Sequence, residues 1–385
     1  MLKNYRDDFP TLSGDHPPAY LDNACVTLKP QSVIDTIHRY YTETPGCGGR
    51  SVLRYGTAVS KSVSEARNKL ARFLNAPSPN EIVFTRNATH SINQVAHGLT
   101  WEKGDVVLTT DREHNSNLVP WLQLEQEQGI DHRVVPSHPD NTFDMEAFEA
   151  ACAEAGKNLK MVAMSHVGNL DGIEVPVAEV TKVARDHDAL VAIDGAQSTP
   201  HMNVDVQALD IDFLSFSIHK MCGPSGMGGL WGRYDLLDGM RTIQSGGQTV
   251  QTSSYTDATW AAPPARFEGG LGNFSGMMAT GAAIDYLSKL DMDAVHEHEI
   301  ALNRIMTEGV KDLPGVSIIG PEDPTKRGGI CSMLMDDLPA HDVALLLDEA
   351  AGVMVRSGQH CVHSWFADRG HPQGCLLYTS DAADE

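Results

Sequence analysis

The feature that most constrains this chain is an alternation that begins at Glu81. Short apolar runs, Ile82-Val83-Phe84, Val106-Val107-Leu108, Met161-Val162-Ala163-Met164, Leu190-Val191-Ala192-Ile193 and Phe213-Leu214-Ser215-Phe216, each give way to a polar loop. Runs this short read as buried strands, and helix-spaced sequence lies between most of them. The pattern predicts an α/β fold, with a mainly parallel sheet sandwiched by helices. Thr89, His114, Asn169, Asp194 with Gln197, and Ser217 with His219 and Lys220 all sit just beyond the predicted strand ends. In open α/β sheets ligands bind at that edge, so the five groups predict one site.

The last loop says most. Phe213, Leu214 and Phe216 predict a strand whose end releases Ser217, His219 and Lys220 into the glycine-rich turn 221–229. A lysine there has little room to reach water. Burial lowers a lysine pKa, and such a lysine can form a Schiff base with a carbonyl cofactor. Taken alone, Lys220 would read as a solvated loop residue; its neighbours reverse this. Pyridoxal phosphate needs a buried acid for its ring nitrogen, a lysine for its aldehyde and donors for its phosphate. Asp194, Lys220 and the Ser217/His219 pair meet those needs.

Asp194-Gly195-Ala196-Gln197, then Ser217-Ile218-His219-Lys220, then Gly223-Pro224-Ser225-Gly226-Met227-Gly228 resembles the class V aminotransferase family of pyridoxal-phosphate enzymes, and is most similar to its SUF-type cysteine desulfurases. The resemblance covers about 20–361. It implies fold type I, with a large cofactor-binding domain over 20–290 that holds a seven-stranded sheet. A smaller α/β domain is expected from 1–19 and 291–374, and a homodimer for the whole.

Residue by residue, the resemblance places Ala88 and Thr89 at the phosphate, on a helix N-terminus that favours anions. The family's Gly-Thr-Thr is Asn87-Ala88-Thr89 here, one hydroxyl fewer, and a plain helix cap predicts the same residue types. His114, in Glu113-His114-Asn115-Ser116-Asn117, matches the histidine that stacks on the pyridine ring and assists proton transfer. Asn169 and Gln197 match groups beside the phenolic oxygen, and Asp194 the acid at the ring nitrogen. The region 50–55, from Arg50 to Tyr55, matches the substrate mouth only loosely. Cys25 reads as a small packed residue, with a second active-site thiol as the alternative. In 266–273, Leu271 replaces a threonine that in the family reaches the partner subunit's phosphate, and leucine cannot donate there.

Arg356-Ser357-Gly358-Gln359-His360-Cys361 resembles the desulfurase loop that supplies a carboxylate-binding arginine, Arg356, and a nucleophilic cysteine, Cys361; a packed thiol is the plainer reading of Cys361. His360, Cys361 and His363 lie too close in sequence to share one ion, so no metal is expected. After Gly374 the resemblance stops. The family's Arg-x-Ser strand is absent, and 375–385 reads as a foreign tail on a truncated small domain.

The implied activity is conversion of L-cysteine to L-alanine, with sulfur taken up by Cys361 as a persulfide and passed to a sulfur-acceptor protein. The alternatives are another class V enzyme that does not use Cys361 (a C–S lyase, selenocysteine lyase, aminotransferase or epimerase), or a cofactor-binding protein without turnover. With 51 acidic residues against 29 basic ones, the net charge of −22 disfavours nucleic acid and anionic membranes as partners. The acidity would also suit a high-salt cytoplasm. No apolar run is long enough to span a membrane, the N-terminus lacks a secretory core, and seven cysteines without a C-x-x-C pair fit a reducing cytosol.

Overall fold

The computed structural model describes residues 4–49, 51–336 and 338–379. Arg50 of the expected substrate mouth, residues 1–3 of the N-terminus and 380–385 of the expected tail lie outside the described residues.

Seven strands form the main sheet: β1 (Ile82–Thr85), β2 (Val106–Thr110), β3 (Asp131–Val135), β4 (Leu159–Ser165), β5 (Leu190–Asp194), β6 (Phe213–Ser217) and β7 (Gly228–Gly232). Their order is β1-β7-β6-β5-β4-β2-β3, and only the two pairs made by β7 are antiparallel. Because β7 opposes both neighbours, β1 runs with β2 to β6, and six C-terminal ends share one edge. The expected mainly parallel, seven-stranded sheet is what the chain forms.

Side chains alternate across this sheet with period two. Ile82, Phe84, Val162, Met164, Val191, Ile193, Leu214 and Phe216 face one core. Val83, Met161, Ala163, Phe213 and Leu230 face the other. The first core is closed by α1 (Arg54–Phe73), α4 (Met145–Ala155), α5 (Val177–Arg185) and α6 (Phe274–Leu287), and the second by α2 (Ala88–Gly98) and α3 (Asn115–Gln128). Both faces are therefore dry, which is why the strands read as continuous apolar runs. Edge strand β3 is the exception, with Val134 exposed.

A second sheet contains β8 (Val316–Ile318), β9 (Ile330–Met335), β10 (Arg356–Gly358) and β11 (Cys375–Thr379), all antiparallel in the order β8-β9-β11-β10. Helices α7 (Met292–Val310) and α8 (Ala340–Ala351) pack on it through Met306, Val310, Val343 and Leu347. No helix among the described residues is long and apolar enough to cross a membrane.

Two sequence expectations need correction. The first five residues of the expected tail form β11, buried between β9 and β10. Cys375, Leu376, Leu377 and Tyr378 are apolar enough to fill that slot, and backbone ladder bonds do not depend on side-chain identity. The N-terminal stretch assigned to the smaller domain is divided: Ala19 pairs with Val353 of the smaller domain, while the part before it packs on the larger one. Phe9 and Leu12 join the first core, and the rings of Tyr5 and Phe9 meet Tyr286 edge-on at centroid distances of 6.5 and 5.7 Å.

Candidate active site

The C-terminal edge of the main sheet, together with the β10 segment, encloses a cavity of about 250 Å³. Ala88, Thr89, His114, Asn169, Asp194, Gln197, Ser217, His219, Lys220 and Arg356 all line it, so every expected site residue but Cys361 is on its wall. A larger neighbouring cavity of about 340 Å³ shares Val167 and Gln197 but is not lined by Lys220, Asp194 or Arg356.

Strand β6 is buried along its length and ends in a single 3-10 turn, Ile218–Lys220, which delivers His219 and Lys220 to the cavity. Two glycines of the following motif are required by geometry. Gly226 has φ +73°, a conformation other residues resist, and a Cβ at Gly228 would stand 2.5 Å from the Asn87 backbone. The bare Gly228 therefore lets β7 pass against the loop that opens α2. Enclosure pushes the Lys220 pKa down, against the opposing pull of Asp194, Cys25 and Cys361. Burial is the main cause holding His219 near 4, with Lys220 and Lys29 adding repulsion.

Asp194 closes β5. Its carboxylate accepts the Ala196 N–H at 2.9 Å, and burial raises its pKa to about 6 against the opposing effects of that bond and Lys220. The nearby charge of Glu113 raises it further. Glu113 was quoted in the sequence motif without a role. It is a buried clamp, accepting from Thr110 Oγ1 (2.6 Å), Asn117 Nδ2 (2.7 Å), Ser165 N (3.0 Å) and Ser165 Oγ (2.6 Å). These bonds tie the ends of β2 and β4 together and fix the loop that carries His114. His114 caps α3, its Nδ1 accepting the Ser116 N–H at 3.0 Å. Burial, with repulsion from Lys220 and Arg356, holds its pKa near 4, so the ring is neutral at physiological pH.

At α2 the first-turn donors are divided. Asn87 Oδ1 accepts the His90 N–H at 2.9 Å, and the Ala88 N–H points at Ser217 Oγ, 3.0 Å away. Thr89 Oγ1 bonds Ser116 Oγ at 2.6 Å. Ser116 is a cavity hydroxyl that sequence reasoning missed, because it lies on another helix, 27 residues away.

Two of the expected amides bond other parts of the chain. Asn169 Nδ2 donates to the His360 carbonyl at 2.8 Å, so this group holds the Cys361 loop. Gln197 Nε2 donates to the Ala24 carbonyl at 3.1 Å, leaving its buried Oε1 without a partner. Cys361 is half-buried next to the wall residue His360, and its carbonyl accepts the Asn115 N–H at 2.7 Å. His360 and Cys361 both have positive φ, +48° and +61°, which turns the chain sharply after β10. Arg356 lies 3.8 Å from Asp22 and is held charged by Cys25, Asp22 and Cys361 against the effect of burial.

The cavity therefore joins a buried carboxylate, an enclosed lysine, a neutral histidine, three hydroxyls beside a helix N-terminus and an arginine. That set, with the unpaired Gln197 Oε1 among its walls, fits pyridoxal phosphate. The family model described as "Aminotransferase class-V" matches residues 19–377. The chain belongs to this family. Among curated class V relatives, a probable cysteine desulfurase of Streptomyces coelicolor is 37% identical, over 92% of this chain and 87% of its own. A cysteine desulfurase of Serratia proteamaculans is also 37% identical, over 100% of this chain and 96% of its own. Among solved structures, the apo cysteine desulfurase of Thermococcus onnurineus superposes with a TM-score of 0.94 at 32% identity, covering 100% of this chain and 95% of that one.

Proposed function

We propose that this class V protein is a pyridoxal-phosphate-dependent cysteine desulfurase that converts L-cysteine to L-alanine and takes up the sulfur on Cys361. The observation that supports it most is the placing of Cys361. The bonds from Asn115 and Asn169 dock its loop against the cavity that holds Lys220 and Arg356. The 37%-identical relatives named as cysteine desulfurases support the same reading.

When bound, the cofactor supplies an electron-accepting ring that acidifies the α-carbon of an amino acid. Lys220 Nζ holds the cofactor and, with its lowered pKa, takes and returns a proton. Asp194 provides the buried negative charge for the ring nitrogen. Thr89, Ser116, Ser217 and His219, with the α2 backbone, receive the phosphate. Gln197, with its unpaired Oε1, would hold the cofactor's polar edge, while Asn169 holds the loop of Cys361. His114, neutral on the cavity wall, would move a proton beside the bound cofactor. Arg356 pairs with the substrate carboxylate in a charge-assisted bond. The Cys361 thiolate attacks the substrate sulfur, leaving a persulfide for a sulfur-acceptor protein. The setting is a cytoplasmic homodimer in which the exposed Leu271 sits where the family makes its intersubunit phosphate contact.

Replacing Cys361 by alanine should leave the cofactor bound and lower sustained alanine formation about a hundredfold or more. Undiminished alanine formation, or pyruvate in place of alanine from the unmodified protein, would overturn the assignment.

A further inference from the structure

Cys25 holds a position that neither the class V motifs nor the desulfurase reading assigns. It ends a tight turn in which its N–H donates to the Asp22 carbonyl at 3.1 Å, and that turn is pinned from both sides. On one side Gln197 bonds the Ala24 carbonyl. On the other, Thr27 donates through its N–H (3.1 Å) and Oγ1 (3.0 Å) to the His219 carbonyl. Gln197 follows Asp194, and His219 precedes Lys220. Cys25 is therefore fixed between the two segments that carry the acid and the amine, on the same cavity wall as Lys220, Arg356 and His360.

The packed thiols of this chain have different surroundings. Cys152, Cys331 and Cys375 are buried in cores, and burial pushes Cys152 and Cys375 up to about 12. Cys25 is a half-buried free thiol on the cavity wall that also carries Arg356. A separate observation points to a ligand at this spot. His360 Nδ1 is buried, has no partner, and belongs to a residue that lines the cavity with Cys25.

We propose that Cys25 is a second sulfur-accepting thiol, able to take the sulfur of a β-thiol amino acid inside the cavity; this rests on the desulfurase reading above. The Cys25 thiolate attacks the substrate sulfur and an S–S bond forms. The substrate's Cβ–S bond breaks, its electron pair stays on Cβ, and Cβ takes a proton to give alanine. The proton lost by the Cys25 thiol balances the one gained by Cβ, so no external oxidant or reductant is consumed. Release from this enclosed persulfide requires a small thiol that can enter, whereas Cys361 serves a protein acceptor.

The test is a peptide map by mass spectrometry of the holoenzyme exposed briefly to L-cysteine and then alkylated with iodoacetamide. Cys361→Ala should give roughly one alanine per active site and a persulfide on the Cys25 peptide. Adding Cys25→Ala should abolish both. A Cys361→Ala protein with no persulfide at Cys25, when the unmodified enzyme carries one at Cys361, overturns the inference and leaves the desulfurase reading standing. An unmodified enzyme with no persulfide on any cysteine overturns both.

Discussion

The side-chain amide of Asn169 donates to the carbonyl of His360 across 2.8 Å, joining the loop after β4 to the turn that carries Cys361. The two residues are 191 positions apart, and the bond supports a turn with two consecutive positive-φ residues. A neutral hydrogen bond contributes about 1 kcal/mol, so Asn169→Ala should lower alanine formation roughly five- to tenfold. Cofactor absorbance should persist, and hydrogen exchange should quicken over 359–362. Unaltered exchange and turnover would show that the bond does not hold the turn.

Under the proposed function Asp194 bears on the cofactor's electronics. An amide at this position cannot keep a ring nitrogen charged, so Asp194→Asn should cost about 10²-fold or more in turnover, in the range of proton-handling groups. Steady-state assay of alanine, at cofactor levels that saturate the variant, separates this from weaker binding. Wild-type turnover would remove Asp194 from the mechanism.

How much of this was legible in the sequence depends on the range of the interaction. Strands β1, β2 and β4 to β6 were readable because burial on both faces demands unbroken apolar runs. The residues after them were readable because fold and chemistry both place polar groups there. Roles fixed by partners distant in sequence were not readable. Asn169 gave no sign that its amide serves His360, nor Ser116 that it meets Thr89. Glu113 was visible as a motif letter, yet three of its four donors come from the ends of two strands and the fourth, Asn117, from α3. Cys25 read as a small packed residue, with a second active-site thiol as the alternative, and the bonds of Gln197 to Ala24 and of Thr27 to His219, distant in sequence, are what set its turn beside the site. Residues 375–379 looked foreign because their side chains depart from the expected pattern, while their backbone still fills a strand position.

Arg112 and Asp171 form a buried ion pair at 2.9 Å, linking the loop of His114 to that of Asn169. Removing one partner strands a charge without solvent, so Asp171→Ala should destabilise the fold by about 3–5 kcal/mol. Urea unfolding of the cofactor-free protein measures this; a loss below about 1 kcal/mol would mean that water or another acid reaches Arg112.

Three histidines, His114, His219 and His360, are held near 4 chiefly by burial, against an ordinary value of 6.5. Between those values the unfolded chain binds the extra protons, so stability falls as pH drops from 6.5 toward 4. Asp194, raised to about 6, acts in the opposite sense from about 6 down to 3.8, because the folded state takes its proton first. With three groups against one, the cofactor-free protein should unfold at lower denaturant at pH 5 than at pH 7. An equal or higher midpoint at pH 5 would show that these histidines are not buried as neutral rings.

The whole account depends on a bond from Lys220 to the cofactor. Borohydride reduction of the holoenzyme, followed by peptide mapping, tests it directly. The expected result is cofactor mass on the peptide that contains Lys220, lost in Lys220→Ala. Attachment at another lysine, such as nearby Lys29, or no covalent attachment at all, would contradict it.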